Sequence, residues 1–204
     1  MHIILVLLLG FWSAASSAAP PEPFRVVFID DQSAEKLGGF PLPRNVLAAG
    51  IEAIAAQKPR AIILKMFIDQ PKNSQGDQAL ASALAKVPVL LQARIDDKEP
   101  KPNPVPERFF LRGLPPGLEV AVSGTSGWLP LQLLSSNAHD LGFVDIVSPL
   151  SAPIVERYQG RYVKSLYLCA LELALNGEAT IEAQELKIAE RRLPLDARLQ
   201  ASIT

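Results

Sequence analysis

Cysteine, histidine, excess charge and aromatic rings are all scarce in this sequence, and each shortage removes a class of function. The single cysteine, Cys169, cannot close an internal disulfide. Beyond His2 at the extreme N-terminus the one histidine is His139, so zinc motifs built on His or Cys pairs are excluded. The net charge of −1 lacks the basic excess of a nucleic-acid footprint. Aromatic residues reach only 6%, which leaves few platforms for stacking bases. No glycine loop followed by Lys-Ser or Lys-Thr and no G-x-G-x-x-G after the first apolar run occurs, so the common phosphate-cradling loops are missing as well. No cofactor is expected.

What is present is globular: 49% hydrophobic and 20% charged residues in 204, enough for one domain with a true core. The chain opens "MHIILVLLLGFWSAASSAAPPEP", an apolar run from Ile3 to Trp12 passing into small residues. That layout predicts a signal peptide over residues 1–18, with Ser16-Ser17-Ala18 as the cleavage site and Ala19 as the mature start. The rival is an uncleaved anchor over Ile3 to Ala19, close to the ~20 residues of a membrane span. Export places the mature domain, 19–204, in an extracytoplasmic space, periplasmic or secreted, where Cys169 within "SLYLCALELAL" is expected as an inert thiol buried on a helix.

Along the mature chain, residues 24–30 read as a strand buried on both faces. "NVLAAGIEAIAAQ" (45–57) reads as a helix capped by Asn45, and "PRAIILKMFID" (59–69) as a second strand. "GDQALASALAK" (76–86) reads as a helix capped by Asp77, and "VPVLLQARI" (87–95) as a third strand. A βαβαβ succession predicts an α/β fold with a mainly parallel sheet and helices on its faces. After the proline-rich loop 96–107, the pieces "RFFLR", "LEVAVSG" and "LGFVDIV" read as further strands of the same sheet. "SLYLCALELAL" (165–175) is a helix ended by Asn176-Gly177, and residues 184–196 form a small hairpin.

Catalytic signatures are thin. "SGTSGW" places Gly124 before Ser126 as in a nucleophile elbow, but Trp128 occupies the second glycine position. His139 and Asp145 complete a triad only on paper. Carboxylates offer more, since Asp30 and Asp31, Asp69, and Asp96-Asp97 each follow an expected strand. Ligands in open α/β sheets bind at those carboxyl ends, and clustered carboxylates there are donors for Mg²⁺ or Ca²⁺. The competing reading of Asp31 is a cap for the turn "QSAEKLGG".

These stretches together resemble the type-two CHASE domain, an extracellular sensor module associated with cyclases and histidine kinases. The resemblance lies in Ile29-Asp30-Asp31, Ser33, Leu37-Gly38, Phe40-Pro41 and Pro43-Arg44, then in Asp77 to Leu84, Leu141 to Val144, the helix 165–175 and "RRLPLD". It runs from about Phe24 to the C-terminus. Three departures stand out. Lys65 occupies a position where the family usually has Asp, "SPLSAPIVER" replaces an Asp-Gly-x-x-Arg segment, and the further sheet and effector of the family are expected to be absent after Thr204. The resemblance implies a sensory or ligand-binding module acting through a partner, a homodimer or a membrane sensor, with no nucleic acid and no catalysis. Candidate ligand-binding residues are Asp30, Asp31, Ser33, Arg44 and Asp69, with Asp30 as the expected partner of the Arg44 guanidinium. Alternatives are an interaction subunit that keeps the fold without a ligand, and a hydrolase built on Ser126. Membrane association is expected only if residues 1–18 stay attached.

Overall fold

A computed structural model describes residues 25–98, 103–114, 117–182 and 184–202. The expected signal peptide lies outside the described residues. Asp30 opens α1 (Asp31–Lys36) by accepting the backbone N–H of Ser33 at 2.8 Å. The chain then reverses at Gly38 and Gly39, whose φ values of 103° and 89° belong to the left-handed region that favours glycine. Next come α2 (Arg44–Ala55), β1 (Ile62–Leu64), α3 (Ser74–Leu84) and β2 (Val89–Ile95). A 3₁₀ turn at Glu107–Phe109 leads to β3 (Ser123–Gly124), β4 (Gly127–Trp128), α4 (Gln132–Asn137) and β5 (Asp140–Phe143). The last third holds β6 (Ser151–Pro153), β7 (Val155–Tyr158), β8 (Arg161–Lys164), α5 (Leu166–Leu175), β9 (Ala179–Glu182), β10 (Glu185–Ile188), β11 (Arg191–Pro194) and β12 (Gln200–Ser202).

β2 is the centre of the main sheet. β1 and β5 run parallel to it on either side, with Ile62 opposite Val89 and Leu90 opposite Asp140. β4 joins antiparallel, Trp128 facing Arg94. The side chains of β2 alternate between two cores, as period two requires. Val89, Leu91 and Ala93 pack with Leu47 and Ile51 of α2 and Leu80 and Leu84 of α3. Leu90 instead meets Leu166 and Cys169 of α5. On that second face α5 sits so close to β5 that a Cβ on Gly142 would lie 2.3 Å from the Leu166 Cα. Lys164 closes the same seam by reaching Asp140 at the start of β5 and, at 2.9 Å, Glu172 of α5. The helix is capped by the Ser165 hydroxyl and ends at Asn176 in the left-handed conformation, φ 54°.

Three sequence expectations need correction. Residues 25–30 are extended but form no strand, and Val26, Val27 and Phe28 are 71%, 70% and 85% exposed. Composition predicts strand conformation, whereas a strand also needs a ladder partner, and none of the described strands pairs with the outer edge of β1. The α/β class stands, yet the described strands divide into four sheets and the parallel part is confined to β1, β2 and β5, with the short β3–β7 pair. Arg108 and Phe109 lie in the 3₁₀ turn, Phe110 makes only an isolated bridge to Val163 of β8, and Ser123-Gly124 joins the β7–β8 sheet instead of the central one. Parallel neighbours need a crossover of a dozen or more residues, and the closely spaced strands after Ser151 are too near in sequence to pair any way but antiparallel. The predicted hairpin is β10–β11, extended by β9 to three strands.

The third correction concerns the caps and Arg44. Helix α2 begins at Arg44 itself, after Pro43, which offers no capping side chain. Helix α3 is capped by Asn73, which accepts from Gly76 N–H at 2.7 Å, and so frees Asp77. Asp77, not Asp30, is the partner of Arg44: Nε donates to Asp77 Oδ1 at 3.2 Å, and both side chains are buried. The remaining bonds complete the pair. Arg44 Nη2 donates to the Gln70 carbonyl at 2.8 Å, and the Lys72 N–H donates to Asp77 Oδ2 at 3.1 Å. Asp30 stays at the surface because its carboxylate is already used by α1.

Removing one member of a buried pair strands the other charge. Asp77→Ala is therefore expected to lower stability by about 3–5 kcal/mol. Urea midpoints measure it, with exposed Asp30→Ala as the control, for which a much smaller shift is expected. A wild-type midpoint for Asp77→Ala would show that the pair does not hold α2 to α3.

Candidate functional site

The carboxyl ends of the parallel strands open into a cavity of about 680 Å³. The residues following β1, Lys65 to Ile68, form one wall. Gln92 and Arg94 of β2 lie at its centre, and Val144, Asp145 and Ile146 follow β5 on the other side. Phe40, Pro41 and Leu42, with Arg44 and Leu47 of α2, complete the lining. This is the position where open α/β sheets seat ligands, because the strand ends diverge into loops while the sheet below stays rigid.

The polar groups are unevenly satisfied. Gln92 is only 4% exposed, and its Oε1 has no hydrogen-bond partner among the described residues. Asp145 Oδ2 accepts the Ile95 N–H at 2.9 Å, while Oδ1 lies 3.8 Å from Arg94 Nε. Burial pushes the Asp145 carboxyl above the usual carboxylate range, and the Ile95 N–H and the Arg94 charge act against that rise. Behind Asp145 lies Glu156 of β7, completely buried, with neither oxygen hydrogen-bonded within ordinary distance among the described residues. Burial first, then the neighbouring Asp145 carboxylate, pushes its pKa up to about 10. Glu156 is thus a neutral carboxylic acid at pH 7.

Of the residues singled out from sequence, Arg44 lines the cavity and the other four do not. Asp30 caps α1, Asp31 is exposed in its first turn, and Ser33 supplies the capped N–H. Asp69 accepts from Gln70 Nε2 at 2.8 Å, and its carbonyl accepts from Asn103. The Asp97 carboxylate accepts the N–H groups of Thr125 and Ser126, which hold it below its ordinary value. Among the described residues no group of three carboxylate, His or Cys side chains is placed to hold a metal ion. The Ser126 triad is not assembled: Asp145 is engaged with Ile95 and Arg94, and His139 is exposed, its carbonyl accepting from Arg108. Cys169 is buried, and burial, then the Asp140 charge, raises its thiol well above the ordinary value.

A family model described as the CHASE2 domain matches residues 7–203. The chain belongs to the CHASE2 domain family. CHASE2 domains are sensory modules of the extracellular or periplasmic side and not a catalytic family. No curated protein and no solved structure matches the chain. In this CHASE2 domain the sequence pattern did not single out Gln92, Arg94 and Glu156, and it marked Lys65 only as a departure from the family's Asp. Two of them had a signal: Gln92 interrupts the apolar run "VPVLLQARI" and Glu156 the run "PIVERY", and polar residues in buried strands are the informative exceptions. Among the described residues no helix is long and apolar enough to cross a membrane.

The Glu156 shift makes stability depend on pH in a definite direction. The unfolded carboxyl ionises near its ordinary 4.5, whereas the folded one keeps its proton to about 10. The folded state therefore holds the extra proton between those values, and stability falls as pH rises through that window. Glu156→Gln keeps the shape and removes the titration. It is expected to flatten urea-denaturation stability between pH 5 and 9, so that its advantage over wild type grows with each pH unit across that window. A variant with the wild-type pH slope would show that Glu156 ionises normally.

Proposed function

We propose that this chain is an exported ligand-binding sensory module, delivered by residues 1–18, whose ligand seats at the carboxyl ends of β1, β2 and β5 and whose output passes through a partner. The observation that carries the reading is the cavity itself, where Lys65, Gln92, Arg94 and Asp145 bring polar groups to the carboxyl ends of the parallel strands. Family membership supports the sensory role. The cavity volume lies within the ~300–1,000 Å³ usual for small-molecule sites. Catalysis has no support in the arrangement of Ser126, His139 and Asp145.

A thermal-shift screen of the purified mature protein against a metabolite library tests the ligand reading, because binding to the folded state alone raises Tm. At least one compound is expected to raise Tm for wild type and not for Gln92→Met, while unliganded Gln92→Met is as stable as wild type or more so. A Gln92→Met protein that is strongly destabilised, with no compound bound by wild type, would make Gln92 a structural residue and leave the interaction-subunit reading.

The partner reading rests on different surfaces. The outer edge of β1 is unpaired among the described strands, and Val26, Val27 and Phe28 present adjacent exposed apolar side chains. Open ladder groups and apolar patches are both templates for association. Light scattering on the mature protein is expected to give a dimer, or cross-linking in cells a defined hetero-complex. A monomer at all concentrations with no cross-linked partner would refute this part.

A further inference from the structure

Four features of the cavity agree on the chemistry of its occupant. The first is charge. Arg44, Lys65 and Arg94 line the cavity against a single lining carboxylate, Asp145. Arg44 is neutralised by Asp77, and Arg94 reaches Asp145 only at 3.8 Å. Lys65 forms no ion pair among the described residues, so the lining carries net positive charge once Arg94 and Asp145 are set against each other.

The second is the end of α2. Arg44 is the first residue of this 12-residue helix and Leu47 follows one turn on, so the helix presents its N-terminus to the cavity. Pro43, at the N-cap, supplies no side-chain acceptor, and its carbonyl accepts the Val46 and Leu47 N–H groups. Such an end favours an anion through its dipole. The third is Gln92, whose side-chain amide is the uncharged hydrogen-bonding group in the lining. The fourth is the wall itself, apolar on both sides: Met66, Phe67 and Ile68 from one strand end, Phe40 from the turn, Val144 and Ile146 from the other strand end.

We infer that this cavity takes a small organic carboxylate with an apolar body and a separate hydrogen-bonding group, its carboxylate held by Lys65 and Arg94 and that group met by the Gln92 amide. This inference rests on the ligand-binding reading above and narrows it to a class. A bare inorganic anion would leave the apolar walls and Gln92 unanswered. A cationic ligand would meet Lys65 and the positive end of α2, while Asp145 already receives the Ile95 N–H and the Arg94 charge.

Calorimetric titration of the mature protein with a panel of aryl- and alkyl-acetic acids carrying a hydroxyl or amide N–H tests the assignment, each acid run beside its neutral primary amide. Acids are expected to bind at least tenfold more tightly than their amides. Arg94→Gln and Lys65→Gln are each expected to weaken the acids by about tenfold, the loss of one charge-assisted hydrogen bond, and Lys65→Gln to do so without moving the unliganded Tm. Amides binding as well as acids, with binding still lost in Gln92→Met, would overturn the carboxylate class and leave the ligand site standing. Acids whose affinity is untouched by Gln92→Met, Arg94→Gln and Lys65→Gln would place binding elsewhere and overturn the assignment of this cavity. No binding by any acid, when the library screen has found a ligand that Gln92→Met loses, overturns the class alone. No binding in either experiment brings down both.

Discussion

The buried Arg44–Asp77 pair is the constraint on which the candidate site depends. It ties the first turn of α2 to the first turn of α3, and through the Gln70 carbonyl and Lys72 N–H it also fixes the loop between β1 and α3. A pair removed from water is costly unless every remaining donor and acceptor is met, and here Nε, Nη2 and both carboxylate oxygens are engaged. The same arginine contributes to the cavity wall. Correct docking of two helices and correct shape of a ligand seat therefore rest on one guanidinium, which lysine, with a point charge in place of a planar fork, would not replace.

Much of this scaffold was legible in the sequence, and its failures are physical. α2, α3, α5, β2 and the β10–β11 hairpin follow from local periodicity, because propensity and burial point the same way there. Residues 25–30 failed because apolar β-branched composition reports a preference for extended backbone and says nothing of a partner. The need of Arg44 for a carboxylate is legible, but the expected partner, Asp30, is not the one it finds. The choice was decided by Asn73, which took over the cap of α3 and released Asp77. Such competition between two caps is a tertiary outcome that spacing alone does not resolve. Of the candidate ligand residues, only Arg44 reached the cavity, since strand ends converge only when the strands themselves pair. The better signals were Gln92 and Glu156, polar residues set inside apolar runs.

Asp145 and Glu156 form a second organising unit, between the central sheet and the β7–β8 sheet. One carboxyl is stabilised by the Ile95 N–H and the other is kept neutral by its surroundings, so two acids coexist where two negative charges would repel. Asp145 belongs at once to this unit and to the cavity lining, which places the cavity's only carboxylate against a proton held out of solvent.

The close seam between Gly142 and Leu166 carries a mechanical consequence. With no Cβ between them, α5 and β5 touch backbone to backbone, and Lys164 pins the two through Asp140 and Glu172. Sliding along such a joint would collide main chain with main chain, so the helix and the strand make one stiff joint. Val144 and Asp145 continue β5 from that joint into the cavity wall, and Tyr167, next to Leu166, projects from it into solvent.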